Sequence, residues 1–118
     1  MSKSFEDLEV WKRACRQALD VYETLKETKD YSLKNQMERA AVSVPSNIAE
    51  GQERDSVLDF RRFLRIAKGS NGELRTQIYL ATKLELISTE KSNELINESK
   101  QISRMLQGLI NSLDVEKS

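Results

Sequence analysis

Residues 40–51 read AAVSVPSNIAEG, and the helical character of the whole chain can be taken from them. Ala40, Val44 and Ile48 recur every four residues and extend a series begun by Leu33 and Met37. That spacing is one stripe of an amphipathic helix. Pro45 lies inside the stripe. It removes a backbone donor and its ring crowds the carbonyl of Ala41, so the helix is expected to bend there and to resume in phase through Ile48. Gly51 occupies the place of a left-handed residue just past a helix end. Ser43, Ser46, Asn47 and Glu50 are set among these small and apolar residues, where a plain bundle would place Leu or Ala.

Residues 69–77, GSNGELRTQ, answer this pattern downstream with Ser70, Glu73 and Gln77. Asn47 and Glu50 share a helix face, as do Ser70, Glu73 and Gln77. Antiparallel packing of the two helices would bring these faces together, and buried carboxylates and amides must then satisfy one another or hold something. A carboxylate pair for a metal ion, Glu50 with Glu73, is one reading. The other, adopted here, is a structural hydrogen-bond network of Ser43, Asn47, Glu50, Ser70, Glu73 and Gln77 that fixes helix register and caps the bend. No helical Glu-x-x-His pair accompanies the carboxylates, so no metal and no cofactor is expected.

The flanking sequence supplies three more helices. In the first, Leu8, Trp11, Cys15, Ala18, Tyr22 and Leu25 form the main apolar stripe, and Val10, Ala14 and Val21 a second one. Two apolar faces suggest two packing partners, the bundle core and another subunit, although one broad core face fits as well. Ser4–Asp7 and Ser56–Asp59 have capping-box spacing, and Asp30 or Ser32, then Ser88, can cap the second and fourth helices. The third helix carries Phe60, Phe63, Leu64, Ala67, Leu74, Ile78 and Ala81 in phase across Gly69 and Gly72, and so reads as one helix of roughly 30 residues. Each glycine costs about 1 kcal/mol there, which suggests close approach of a neighbouring helix. In the fourth, Leu95, Ile102, Leu106, Leu109 and Leu113 keep heptad-like spacing, with Ser99 in the remaining slot. Helices are expected over residues 5–27, 32–51, 56–86 and 88–113. Short loops then give an all-α, single-domain, antiparallel up-down-up-down four-helix bundle, kinked in its second helix at Pro45.

Composition narrows function. Nineteen basic and nineteen acidic residues give a formal net charge of zero, so no global basic field is available to hold nucleic acid. Histidine is absent, which removes imidazole acid–base chemistry, and the single Cys15 lies on an apolar stripe without a local activator. Gly69–Gly72 lacks phosphate-loop spacing. No enzyme is expected. One cysteine, no recognisable secretory leader and no apolar run of membrane-spanning length make a reducing cytoplasm the expected compartment. Arg61, Arg65, Lys68 and Arg75 recur at helix spacing with Arg54 just upstream. This local cationic stripe can meet phosphates of RNA or DNA, acidic residues of another subunit, or solvent.

Four stretches carry a family resemblance: DLEVWK at 7–12, RAAVSVPSNIAEG at 39–51, FLRIAKGS at 63–70 and ELRTQ at 73–77. Together they resemble the small bacterial four helix bundle protein family. That family includes proteins encoded in intervening sequences of large-subunit ribosomal RNA genes and the accessory variability protein of diversity-generating retroelements. The resemblance runs from Phe5 to Leu113. It implies a four-helix protomer assembled into a ring-like homopentamer. For the retroelement branch it also implies binding to nucleic acid and to a reverse transcriptase through a basic surface. The function expected is thus a non-enzymatic oligomeric scaffold, with a nucleic-acid-binding accessory role as the alternative.

Overall fold

Helix-starting residues set the boundaries of the computed structural model, which describes residues 4–113. Ser4 accepts a hydrogen bond from the Glu6 N–H and opens a single 3-10 turn, Phe5–Asp7. The first α-helix, α1, then covers Glu9–Thr24. It starts four residues after the expected position, because Leu8 is extended and separates the two elements. Asp30 caps α2, Tyr31–Glu53, through the Leu33 N–H. Ser56 caps α3, Val57–Lys83, through Asp59, and Ser88 caps α4, Thr89–Ser112, through Lys91. No strand occurs among the described residues, and the four helices pack as in a bundle, about 49 Å long and 20 Å wide.

α2 continues as helix through the buried Pro45 and on past Gly51. Gly51 is therefore not the left-handed residue that the sequence suggested; that conformation falls to Asp55, at φ 55°. Gly51 serves a different need. A Cβ there would stand 2.5 Å from the Cβ of Phe63, so the missing side chain lets α2 and α3 touch. Gly69 and Gly72 are the reverse case: α3 is unbroken across them, and a Cβ on either would meet nothing within 4 Å. No helix among the described residues uses the room they leave.

The core face of α1 draws on both stripes, as the single broad face that the sequence also allowed. Val10, Ala14 and Val21, read as the second stripe, are at most 4% exposed and face the core. Of the residues read as the main stripe, Ala18 and Leu25 are buried, Trp11 and Cys15 are half-buried, and Tyr22 is exposed. Small and β-branched side chains permit the closer helix approach, and the bulky ones cover the flank. Trp11 packs edge-on against Phe5, ring centroids 5.2 Å apart.

Two aliphatic clusters make up the interior. One contains Val21, Leu25, Met37, Leu74, Ile78 and Leu95; the other contains Val10, Val44, Ile48, Leu64, Ile102 and Leu106. The division falls between Ala14 and Ala18 on α1, between Ala41 and Val44 on α2, between Ala67 and Leu74 on α3, and between Ile96 and Ile102 on α4. What occupies the gap is polar.

Candidate functional site

Gln17, Asn71 and Ser99 fill that gap from α1, α3 and α4, at 3%, 0% and 0% exposure. Each stands in phase with its helix's core stripe, which is why it is carried inward. The Gln17 amide donates from Nε2 to Asn71 Oδ1 at 3.1 Å. Asn71 Nδ2 donates to the Ser99 backbone carbonyl at 2.7 Å, and the Ser99 hydroxyl returns a bond to Asn71 Oδ1 at 3.2 Å. Three helices are thereby joined through one side chain. Gln17 Oε1 is buried and has no partner among the described residues.

The polar residues singled out from the sequence form a neighbouring, shallower seam between α2 and α3. Ser43 and Ser70 bring their hydroxyls within 2.9 Å of each other. Asn47 Nδ2 donates to both the carbonyl and the hydroxyl of Ser43, at 2.8 and 2.9 Å, across the turn that contains Pro45. These three residues meet. Glu50 does not join them: it is exposed and pairs with Arg54 one turn on at 3.4 Å. Glu73 is exposed as well, and Gln77, although buried, leaves its Oε1 unpartnered. Carboxylates lose more hydration on burial than hydroxyls and amides do, which keeps both glutamates at the rim. Ser46 is exposed. Among the described residues no group of three His, Cys, Asp or Glu side chains could hold a metal ion.

The cationic stripe divides on the structure. Arg61 turns toward the end of α4 and donates to the carbonyls of Ile110 and Leu113, the latter at 3.1 Å, so it caps that helix. Lys68 reaches Gln107 on α4 at 2.7 Å. Arg54 lies over the Phe63 ring, 4.9 Å from its centroid, while Arg62, which the sequence reading passed over, covers it at 4.7 Å. Arg65 is exposed and Arg75 half-exposed.

A second charged feature went unread in the sequence because its members are far apart in the chain. Arg13 of α1 donates to both oxygens of Glu98 on α4, at 2.9 and 2.5 Å, and to Gln101 at 2.7 Å. The hydrogen bond to Arg13, and then its charge, hold the Glu98 carboxyl below the usual carboxylate range against the opposing effect of burial. The Arg13 guanidinium is raised in turn, chiefly by Glu98. Lys91 pairs with Asp20 at 2.9 Å across the same seam and is likewise raised, first by that bond. Burial pushes the Cys15 thiol up, away from thiolate. The arrangement as a whole links helices and holds charges in pairs; it presents no activated nucleophile.

The sequence model of the 23S rRNA-intervening sequence protein family matches residues 6–108. A crystal structure of a protein with unknown function from the S23 ribosomal protein family of Bacteroides thetaiotaomicron VPI-5482 superposes with a TM-score of 0.82. The two chains are 26% identical, and the alignment covers 87% of this chain and 99% of the other. Curated proteins give no match. The family model spans most of the bundle and both polar segments, and the chain belongs to the 23S rRNA-intervening sequence protein family.

Proposed function

We propose that the protein is a non-enzymatic assembly unit, a scaffold whose protomers associate through the outward side of α3. The observation that carries this reading is an unused ridge. Leu58, Ile66 and Leu80 are 59%, 41% and 52% exposed, and at 100° per residue they fall on one side of α3 together with Gly69. Gly72 lies beside them, and Val42 of α2 adds a further exposed aliphatic. Two glycines in mid-helix cost about 1 kcal/mol each relative to Ala. No described residue draws on their small size, so a helix of another copy, approaching closely over them, gives that cost a physical use. Val10, Ala14 and Val21 have no part in this surface. A homopentamer is the assembly that the family resemblance suggests.

Light scattering at micromolar concentration tests the proposal. The expected mass is a multiple of 13.6 kDa, five protomers for the pentamer, falling to one protomer in Ile66→Asp/Leu80→Asp with helicity retained. A wild-type mass of 13.6 kDa would overturn it.

The finer architecture belongs to the same proposal: one domain, helices alternating in direction, and α2 bent at Pro45. Gly51 meets Phe63 while Ser43 meets Ser70, so residue numbers fall along α2 as they rise along α3, which supports alternation. A free Cys15, and the finding that no helix among the described residues is long and apolar enough to cross a membrane, are compatible with a reducing cytoplasm.

One observation favours a second reading, in which an α3/α4 face binds structured RNA or DNA. Residues 60–72 and 99–113 contain no acidic side chain, while Arg65, Lys68, Lys100 and Arg104 stand on them. Phosphate contact through such a face would be strongly salt-dependent. Fluorescence anisotropy with a structured RNA at low salt checks this reading. Arg65→Glu/Arg104→Glu should abolish binding; unchanged affinity would dismiss it.

A further inference from the structure

Between α2 and α3, one turn from the Ser43–Ser70 contact, the surface opens into a groove of about 400 Å³. Asn35, Gln36, Arg39 and Ser43 line it from α2, Glu73 and Gln77 from α3. Apart from Ser43, which bonds Ser70 and Asn47, its polar side chains have no partner among the described residues. Arg39 and Glu73 carry opposite charges on facing helices, yet neither forms an ion pair with the other or with any described residue. Asn35 and Gln36 are exposed amides without partners among the described residues. Gln77 is 6% exposed, and its Oε1 is buried without a partner. A stranded acceptor of this kind costs on the order of 1–3 kcal/mol and is uncommon in a settled interior.

The chemistry of the lining selects the occupant. Ala40 is the one apolar residue in it. With no aromatic and no large aliphatic wall, the groove has nothing on which a nucleobase would stack and nothing to hold an acyl chain. Its volume lies at the lower end of the range for small-molecule sites. A free guanidinium on one wall matches a carboxylate bidentately. A free carboxylate on the other wall matches an ammonium group.

We propose that this groove is a binding site for a free α-amino acid with a polar side chain. The ligand carboxylate sits on Arg39, its ammonium group donates to Glu73, and the Asn35 and Gln36 amides receive the side chain. Glu73 stands on the same side of α3 as Ile66 and Leu80, so the groove borders the α3 ridge.

Titration calorimetry of the full chain against the twenty free L-amino acids, with backbone amide NMR shifts as a second readout, tests the assignment. At least one polar amino acid should bind saturably and shift amides of α2 and α3 around Arg39 and Gln77. Its N-acetyl and C-terminal amide derivatives should each bind at least about tenfold more weakly, a loss of about 1.4 kcal/mol. Arg39→Met and Glu73→Gln change exposed side chains, so they retain the fold, and each should weaken binding by a similar factor. Absence of saturable binding for the whole panel up to about 10 mM, a concentration that would reveal even millimolar affinity, would overturn the proposal. So would binding left unchanged by both substitutions.

Discussion

Asn71→Ala should be the most disruptive single change in the described core that removes no large apolar side chain. Asn71 is fully buried and takes part in three side-chain contacts: it accepts from Gln17 at 3.1 Å and from Ser99 at 3.2 Å, and donates to the Ser99 carbonyl at 2.7 Å. Each intramolecular bond contributes about 1 kcal/mol net, so their loss alone amounts to about 3 kcal/mol. The substitution also strands the Gln17 amide, whose Oε1 already lacks a partner, and leaves a small void, which together raise the expected cost to about 3–5 kcal/mol. That is a large share of the roughly 5–15 kcal/mol typical of a whole domain. Gln17→Leu removes the stranded amide before it can be stranded. In that background Asn71→Ala should therefore cost at least about 1 kcal/mol less, a coupling that a double-mutant cycle reads directly. Urea unfolding followed by Trp11 fluorescence and far-UV circular dichroism, at one fixed protein concentration because association adds to apparent stability, supplies the numbers. A loss below about 0.5 kcal/mol for Asn71→Ala, or strict additivity in the cycle, would refute the account of the layer, since independent sites add within that margin.

Glycine substitutions should separate protomer stability from assembly. Gly51→Ala drives a Cβ into Phe63 and should destabilise by about 1–3 kcal/mol, whereas Gly72→Ala enters open space and should stabilise the isolated protomer by up to about 1 kcal/mol while lowering the oligomer mass. Urea midpoints and light scattering on the same samples check both. The Arg13–Glu98 pair should show in the pH dependence. Because the folded carboxyl is depressed, its contribution is complete above the unfolded carboxylate range and is lost as pH falls through the folded value. Wild type should exceed Glu98→Gln by about 1 kcal/mol or less near neutrality, as both partners are partly exposed, and the gap should close in acid. Urea midpoints across that pH range measure it, and a gap that widens in acid would contradict the sign. Cys15, its thiol raised by burial, should react with a disulfide reagent at pH 8 more slowly than free cysteine does, a comparison of two pseudo-first-order rates.

Helix starts were legible because capping is local chemistry: Asp30, Ser56 and Ser88 each place an oxygen near the amides of their own first turn. The core face of α1 was not legible in the same way. Two stripes of similar apolarity interleave there, and bulk pointed to Trp11 and Tyr22, while close helix approach admits Val10, Ala14 and Val21. Among the polar residues, composition drew attention to Glu50 and Glu73, which solvent retains, and away from Asn71. The available signal was phase. Asn71 falls in the empty slot between Ala67 and Leu74, Gln17 between Ala14 and Val21, and Ser99 between Leu95 and Ile102. A polar residue in step with an apolar stripe marks a buried bond better than a polar residue of unusual type. The Arg13–Glu98 and Lys91–Asp20 pairs join residues at opposite ends of the chain, and no local pattern foretells them.

The layer of Gln17, Asn71 and Ser99 has a consequence for axial alignment. The aliphatic clusters on either side of it are built from similar Leu, Ile and Val side chains, which would accept a helix slipped lengthwise by one turn, about 5.4 Å, with modest repacking. The layer would not accept it. A slipped α4 sets Leu95 or Ile102 where Ser99 belongs, and the Asn71 amide then faces hydrocarbon. Three modest hydrogen bonds thus act as a locating pin, penalising misaligned stacking of α1, α3 and α4 far more than they strengthen the correct one. An all-aliphatic version of this interior would hold together at least as firmly and know its own alignment less well.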